Sequence, residues 1–263
     1  MADFDVHRTE RQAHWDAVAR QMDGWTGWGG SYHRRLAQVY RFLVPPGRRV
    51  LEIGCARGDL LASLKPADGV GADFSPAMIE RARLRHPELR YVTADVHDLS
   101  ELDGTFDFIL LSDLVNDLWD IQVVFAQLAR LSHSRTRLII NTYSRLWELP
   151  LALAQRLNLA KPRLNQNWLT PEDIGNLLHL SGFEVIRHWP EVAWPLPVPL
   201  LSGLFNRWLV RFWPFRLLAM TNFILARPRP ASGAEMRAPR VSVIVPARNE
   251  AGNIQDIFAR TPE

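Results

Sequence analysis

The sequence predicts an α/β fold built on a doubly wound, seven-stranded and mostly parallel sheet. Two features predict it: apolar strand segments alternate with amphipathic helical segments, and acidic residues follow several of the strands. The chain has 263 residues, of which 47% are hydrophobic and 22% are charged. This length and composition suffice for one such domain with appendages.

The first 45 residues predict a helical cap in front of the domain. A helix is predicted over residues 10–22, and the glycine-rich residues 24–30 predict a loop. Ser31 is the predicted N-cap of a second helix over residues 32–43, which Pro45 helps to terminate.

The first strand of the domain, which begins at Arg49, runs into a glycine turn and then a helix. Gly54 and Gly58 can adopt positive φ or let the backbone approach a ligand closely. Glu52 places a carboxylate at the carboxyl end of the strand, where ligands of such sheets bind. A carboxylate at this position favours a cationic ligand.

A nicotinamide dinucleotide is the alternative ligand for this turn. Its pyrophosphate would require glycine at positions 54, 56 and 59, on the N-terminus of the helix. The chain carries Ala56 and Asp59 instead, and Asp59 would place an anion where the diphosphate binds. An NAD-binding oxidoreductase is therefore the second interpretation.

Acidic residues also follow the next strands of the predicted sheet. Asp73 ends a strand over residues 69–73 and lies 21 positions after Glu52, close to the roughly 20-residue spacing of a ribose-binding carboxylate. Strands over residues 89–93 and 106–111 precede two further acids. Because parallel strands end at one edge of a sheet, we expect these side chains to lie together. The residues expected at this edge are Glu52, Asp73, Asp95, Asp113 and Tyr143.

The rest of the domain completes the alternation of helices and strands. The predicted segments are a helix over 121–131, a strand over 137–141, a helix over 171–180 capped by Thr170, a strand over 183–186 and a strand over 221–226.

The glycine turn and the acids after it resemble the class I S-adenosylmethionine (SAM) methyltransferases. Their motif I reads acid-x-Gly-x-Gly-x-Gly, and here Ala56 replaces the middle glycine. The resemblance covers about residues 31–226 and implies a Rossmann-like fold that binds SAM and releases S-adenosylhomocysteine. The residues that it implies at the cofactor are Glu52, Gly54, Cys55, Ala56, Gly58, Asp73, Phe74, Asp95, Val96, Ser112 and Tyr32.

The same resemblance assigns roles to some of these residues. Asp73 would bridge the two ribose hydroxyls, Phe74 would flank the adenine, and Asp95 would accept a bond from the adenine amino group. Ser112 and Asp113 would face the methionine part of the cofactor and the substrate. Methyl transfer from a sulfonium is an in-line displacement that depends on alignment and requires no metal.

A hydroxyl acceptor makes a base near the transferred methyl group useful. The candidate residues are Asp113, His33, Tyr143 and Asn116. His97 and His188 are expected to be structural, and no zinc-binding spacing of cysteine and histidine exists in the sequence. In many relatives a segment before motif I folds over the cofactor, so Trp25, Trp28, Tyr32 and His33 are candidate lid residues.

Residues 192–218 combine aromatic residues with arginines and prolines. A transmembrane helix needs about 20 uninterrupted apolar residues, which the prolines and arginines prevent here. We expect an insertion that covers the substrate site, and peripheral contact with a membrane surface is the alternative.

Residues 229–240 predict a linker, after which a strand, a turn and a helix begin. Residues 241–263 resemble the opening of a family-2 glycosyltransferase of the polyprenyl-phosphate sugar transferase type. About 23 residues cannot bury a core, so we expect either a fragment of a two-domain protein or a vestigial tail. A glycosyltransferase in cis points to a sugar or lipid-linked methyl acceptor.

Composition and charge indicate which binding partners and which cellular compartment to expect. The net charge is only +3 and the arginines are spread along the chain, which argues against nucleic acid as a partner. A single cysteine, Cys55, and a polar first ten residues without an export signal predict a cytoplasmic protein, or one peripheral to the inner face of the membrane. A non-catalytic adapter for the glycosyltransferase is the remaining alternative.

Overall fold

The computed structural model describes residues 2–21, 29–156, 164, 166–192, 212 and 219–230. Seven strands form one sheet in the order β3-β2-β1-β4-β5-β7-β6. Neighbouring strands are parallel from β3 through β5, whereas β7 is antiparallel to both of its neighbours. The predicted seven-stranded, mostly parallel, Rossmann-like sheet is confirmed.

The strands are β1 (Arg49–Ile53), β2 (Asp68–Asp73), β3 (Arg90–Thr93), β4 (Phe106–Ser112), β5 (Ser132–Tyr143), β6 (Phe183–Pro190) and β7 (Thr221–Pro228). The α-helices are α1 (Ala2–Gln21), α2 (Gly29–Leu43), α3 (Asp59–Ser63), α4 (Pro76–Arg85), α5 (Ile121–Arg130), α6 (Glu148–Arg156) and α7 (Pro171–Leu180). Short 3₁₀ turns cover Val115–Asp117 and Arg145–Trp147.

Apolar side chains on the two faces of the sheet form two separate buried clusters. Leu51 of β1 belongs to the cluster that holds apolar residues of α5 and α7, whereas its neighbour Val50 belongs to the cluster that holds residues of α2, α3 and α4. Successive residues of a strand point to opposite faces, so each central strand supplies both clusters. The helices therefore cover both faces, as a doubly wound fold requires.

Two helices, α4 and α7, begin with a side-chain cap, and the cap of α7 confirms the helix start predicted at Thr170. Ser75 accepts the backbone N–H of Met78 at the start of α4, with proline at the first helical position. Thr170 and Asp173 form a reciprocal capping box at the start of α7. Each of these caps satisfies backbone donors that the helix itself leaves unpaired.

The predicted starts of the first two helices are wrong. α1 begins at Ala2 instead of residue 10, and its extra turns are held by rings outside the helix, including the contact of Phe4 with His97. α2 begins at Gly29, so Ser31 lies inside the helix and accepts a bond from Arg34 instead of capping. Tertiary packing overrides the local signals in both cases.

The chain divides into a unit of residues 1–229 and a second unit of residues 230–263. Trp25, Trp28, nearly all of the predicted insertion over 192–218 and the glycosyltransferase-like segment over 241–263 lie outside the described residues. Across the described ranges, no helix combines the length and the apolar character needed to cross a bilayer.

Candidate active site

The carboxyl ends of the parallel strands bring the predicted site residues to one edge of the sheet. Glu52 lies in β1, Asp73 ends β2, Asp95 follows β3 and Ser112 ends β4. Tyr143 ends β5 at the same edge. The order of the strands along the chain was enough to predict that these residues converge at one edge. The convergence results from the parallel pairing among the first five strands.

The turn after β1 takes a backbone conformation that explains its small residues. Gly54, Ala56 and Gly58 have φ values of 70°, 46° and 73°. The N–H groups of Gly54 and Cys55 both donate to the carbonyl of Ala72 in β2. Ala56 thus occupies the left-handed region, which costs a residue with a Cβ roughly 1–2 kcal/mol.

A side chain at position 58 would disrupt this turn. A Cβ on Gly58 would lie 2.1 Å from the hydroxyl oxygen of Tyr91, whereas a Cβ on Gly47, at the similar φ of 74°, would meet nothing within 4 Å. We therefore expect Gly58→Ala to lower the free energy of unfolding by several times the roughly 1 kcal/mol that Gly47→Ala costs. Urea unfolding of both variants measures this, and equal losses would show that φ alone decides.

Two buried carboxylates flank the turn. Glu52 accepts the N–H of Leu61 at 3.0 Å, and burial raises its pKa to about 8. Asp73 accepts the N–H groups of Ala56 and Ser75 at 2.9 and 3.0 Å, and burial raises its pKa to about 6. A cation or a hydroxyl donor bound beside these groups would favour their charged forms.

The raised pKa of Glu52 predicts a pH-dependent stability. Folding raises this pKa from the ordinary 4.5 to about 8, so between these values the folded state holds a proton that the unfolded state has lost. Stability then falls as pH rises through this window, by at most about 1.4 kcal/mol per pH unit. Glu52→Gln should remove this slope in urea unfolding without ligand. A variant with the wild-type slope would show that Glu52 is ionised throughout.

Asp113 lies at the centre of a hydrogen-bonded network at the ends of β4 and β5. Its Oδ1 accepts the hydroxyl of Tyr32 at 2.7 Å and the side-chain amide of Asn141 at 2.5 Å. Tyr40 donates to the amide oxygen of Asn141 at 2.6 Å, and Thr221 donates to the Tyr32 hydroxyl at 3.2 Å. Two neutral donors thus orient one carboxylate.

The backbone of Asp113 is unusual as well. Its φ is 54°, a conformation that residues with a side chain rarely adopt and that concentrates at functional sites. Its N–H donates to the carbonyl of Asn141 at 3.2 Å. The strand therefore turns sharply at Asp113, at the position where substrates of such sheets bind.

Tyr32 and Tyr143 form an aromatic wall beside Asp113. Their rings stack with centroids 5.9 Å apart. Burial, and then the Asp113 charge, raise the pKa of Tyr32 well above its ordinary value, so its hydroxyl stays protonated and acts as a donor. His33 is exposed on α2, and its ring lies edge-on against Tyr32.

Other predicted residues are engaged within the protein. Asn116 is buried, donates to the carbonyl of Asn167 at 2.7 Å and accepts the hydroxyl of Thr142 at 2.7 Å, so it fastens a loop to β5. Asp95 accepts both the backbone N–H and the ring Nδ1–H of His97. These bonds outweigh the opposing effect of burial and hold the pKa of Asp95 below its ordinary value.

The remaining predicted cofactor residues lie along the same edge. Cys55 is buried as a free thiol, and burial raises its pKa, so it serves as a small packing residue. Phe74 and Val96 are half-buried after β2 and β3. Among the described residues, no group of three or more His, Cys, Asp or Glu side chains is placed to hold a metal ion.

The sequence did not reveal that α1 crosses this edge. Arg11 donates to Asp117 after β4 at 2.8 Å, and both side chains are nearly buried. Asp16 accepts the hydroxyl of Ser75, two residues after the ribose candidate Asp73. The helix therefore spans from the end of β4 to the end of β2, over the predicted adenosine site. In the sequence, the alternating charges of α1 indicate only a solvent-exposed helix.

Comparison with known proteins decides the family. Residues 28–188 match a family model described as a methyltransferase domain, and this match spans more than half of the chain. The chain belongs to this methyltransferase family. This family membership favours SAM over a nicotinamide dinucleotide as the cofactor.

Several individual methyltransferases resemble the chain. A demethylmenaquinone methyltransferase of Beutenbergia cavernae is 29% identical over 38% of this chain and 42% of its own length. A probable SAM-dependent methyltransferase of Mycobacterium tuberculosis is 27% identical over 44% and 43%. The chain thus spans less than half the length of these relatives. A solved SAM-dependent methyltransferase of Thermotoga maritima shares the fold, with a TM-score of 0.59, 19% identity and coverage of 82% and 99%.

The edge of this methyltransferase fits SAM chemically. Glu52 and Asp73 are buried carboxylates that suit the cationic groups and the ribose diol of the cofactor. A Cβ on Gly54 would lie 3.1 Å from Leu114, so the turn leaves little room for a side chain beside the site. Asp59, at the start of α3, is unfavourable for a diphosphate, which SAM lacks.

Proposed function

We propose that this methyltransferase transfers the methyl group of SAM to a hydroxyl of a small, sugar or lipid-linked acceptor, with Asp113 as the general base. The observation that carries the proposal is the oriented carboxylate of Asp113. It is held by Tyr32 and Asn141 at the end of β4, next to the turn that carries the cofactor motif.

Some residues of this edge would bind the cofactor, and Asp113 would act on the acceptor. Asp73 would hold the ribose and Glu52 the cationic methionine part, while Asp95 would receive the adenine amino group. Bound SAM supplies a methyl group on a sulfonium. The acceptor oxygen forms the new bond to carbon as the bond to sulfur breaks, and its proton passes to Asp113.

Tyr32, Tyr143 and His33 would shape the acceptor side. The stacked rings of Tyr32 and Tyr143 are buried beside the base, where they would keep water away from the reacting hydroxyl. His33 is exposed and lies against this wall, where it could contact the acceptor's outer part. We place Ser112 and Phe74 with the cofactor.

Two considerations support a lipid-linked or glycan acceptor. Residues 241–263 resemble the start of a family-2 glycosyltransferase, which supports an acceptor from a surface-polysaccharide or polyprenol-linked pathway and a partner domain in cis. The matched relatives include methyltransferases named for demethylmenaquinone and for 2-phytyl-1,4-naphtoquinone. We propose that the enzyme acts in the cytoplasm, with the 192–218 insertion covering the acceptor at the inner membrane face.

A panel of acceptors tests the substrate class. Purified enzyme with radiolabelled SAM should methylate a sugar or glycolipid hydroxyl, and a quinol serves as the competing hydroxyl acceptor. Labelling of a quinol or an amine with none of the sugar and glycolipid acceptors would sink the glycan proposal. Transfer to the quinol would still agree with Asp113 as base, whereas transfer to amines alone would not.

A further inference from the structure

His14, on α1, holds a buried ring nitrogen that no bond within the described structure explains. The residue as a whole is half-buried, but its Nε2 atom is shielded from solvent. Within the part of the chain that the structure describes, this atom forms no hydrogen bond. A buried polar atom without a partner costs free energy, and a ligand that binds to it recovers that cost.

The two anchors of α1 place His14 above the end of β1. Arg11 binds Asp117 after β4. Asp16, further along the helix, binds Ser75 after β2. In the sheet, β1 lies between β4 and β2, and neighbouring strands are about 4.8 Å apart. At 1.5 Å per residue, His14 lies about 4.5 Å along the helix from Arg11, which is roughly one strand spacing. It therefore lies over the glycine turn that follows β1.

The order of the strands brings the methionine part of the cofactor to the same place. Asp95, after β3, is assigned to the adenine, and Asp73, at the end of β2, is assigned to the ribose. The next strands in the sheet are β1 and then β4, which leads to Asp113 on the acceptor side. A cofactor that extends along this edge therefore has its methionine part at the end of β1, beneath His14.

The carboxylate of that methionine part requires hydrogen-bond donors. The N–H groups of Gly54, Cys55 and Ala56 in the turn already donate to acceptors in β2. Glu52 is itself an acid, so it suits the ammonium group of the cofactor and not the carboxylate. A histidine N–H is a donor that suits a carboxylate, and His14 supplies one from the other side of the ligand.

We infer that Nε2 of His14 donates a hydrogen bond to the carboxylate of the cofactor's methionine part, so that α1 contributes directly to cofactor binding. This inference deepens the proposed function, because it rests on the assignment of the ribose to Asp73. It does not depend on the acceptor or on Asp113 as base, and it involves no chemical step.

An analogue of S-adenosylhomocysteine that lacks only the carboxylate tests the contact. In calorimetric titrations, the wild type should bind S-adenosylhomocysteine at least about tenfold more tightly than this decarboxylated analogue, as expected for a hydrogen bond to a charged group. His14→Ala should remove most of this preference by weakening S-adenosylhomocysteine while leaving the affinity for the analogue unchanged. A substitution that only loosened α1 would weaken both ligands alike.

Two further variants serve as rescue and control. His14→Gln keeps an N–H donor near the end of the side chain, so it should recover most of the preference for S-adenosylhomocysteine. Gln21 is exposed in the last turn of α1. Gln21→Ala is therefore the matched control, and it should bind both ligands like the wild type.

Three results would overturn the inference. They are equal affinity of the wild type for the two ligands, wild-type preference in His14→Ala, and a His14→Gln variant as weak as His14→Ala. Arg57 is a cationic residue of the turn itself, and its guanidinium pairs with Asp59 at 3.1 Å. Loss of the preference in Arg57→Ala but not in His14→Ala would assign the carboxylate to Arg57 and would also overturn the inference.

The same titrations separate this inference from the proposed function. Each of these results leaves methyl transfer and the role of Asp113 intact, because the wild type still binds S-adenosylhomocysteine. Failure of the wild type to bind S-adenosylhomocysteine at all would overturn both the inference and the proposed function.

Discussion

Replacing Asp113 by asparagine is expected to lower kcat for a hydroxyl acceptor by roughly 10²–10⁴-fold, the usual contribution of a general base. Asparagine can still accept the hydroxyl of Tyr32 through its amide oxygen, so the shape of the network is largely kept. What disappears is the ability to take the acceptor proton. Affinity for S-adenosylhomocysteine should change little, because Asp113 is assigned to the acceptor.

The matched control for this experiment is Asp107→Asn. Asp107 lies at the opposite end of β4, where its carboxylate accepts the N–H of Arg49 at 3.0 Å, away from the candidate site. Initial rates with saturating SAM measure kcat for both variants. An Asp113→Asn enzyme within tenfold of wild type would contradict the role of Asp113 as base.

Replacing Asp73 by alanine is expected to abolish measurable binding of S-adenosylhomocysteine, a loss of roughly 100-fold or more. Two hydrogen bonds from the ribose hydroxyls to a charged acceptor contribute about 1.5–3 kcal/mol each, and both are lost. The carboxylate also accepts the N–H of Ala56, so its removal loosens the glycine turn. Calorimetric titration measures the affinity.

Two further variants separate the ribose contact from the turn. Asp73→Asn keeps an acceptor for Ala56 but removes the charge, and it should also weaken binding strongly. Asp68→Ala, at the other end of β2, removes only a half-exposed ion pair with Arg49 and should bind normally. Full affinity in Asp73→Ala would defeat the ribose assignment.

The ribose contact should also make the affinity for S-adenosylhomocysteine depend on pH. The pKa of Asp73 without ligand is raised to about 6 by burial, and the ribose hydroxyls bind best to the ionised form. Affinity of the wild type should therefore rise as pH increases through 6. The Asp73→Asn variant should lack this dependence.

The sequence predicted the parts of the site that depend on strand order. A strand of apolar residues followed by Gly54 fixes where β1 ends, and the spacing from Glu52 to Asp73 spans one strand, one helix and the next strand. Parallel pairing then carries every strand end to one edge, so these residues converge without any knowledge of side-chain contacts.

The parts of the site that depend on packing could not be predicted. Asn141 is a polar residue in the buried end of β5, directly after three apolar residues, which could have marked it as a partner of another buried polar group. The partner itself, Asp113, follows a different strand and is set by the pairing of β4 with β5. Similarly, Tyr32 and Tyr40 both lie on the buried face of α2. Helical periodicity indicates that they are core residues, but it does not indicate that they hydrogen-bond to other buried polar groups.

The course of α1 shows the same limit more clearly. The helix is polar on most sides, and its position depends on single contacts such as Arg11 with Asp117 and Phe4 with His97. No periodic pattern encodes contacts of this kind, because each joins one residue of the helix to a loop far away in sequence. The position of α1 over the predicted adenosine site is therefore apparent only from the fold.

The most direct test of the account is a crystal structure of the enzyme with S-adenosylhomocysteine bound. We expect the ribose hydroxyls on Asp73, the adenine beneath α1 near Asp95, and the homocysteine sulfur facing Asp113. A ligand that lies elsewhere, or whose sulfur points away from Asp113, would contradict it.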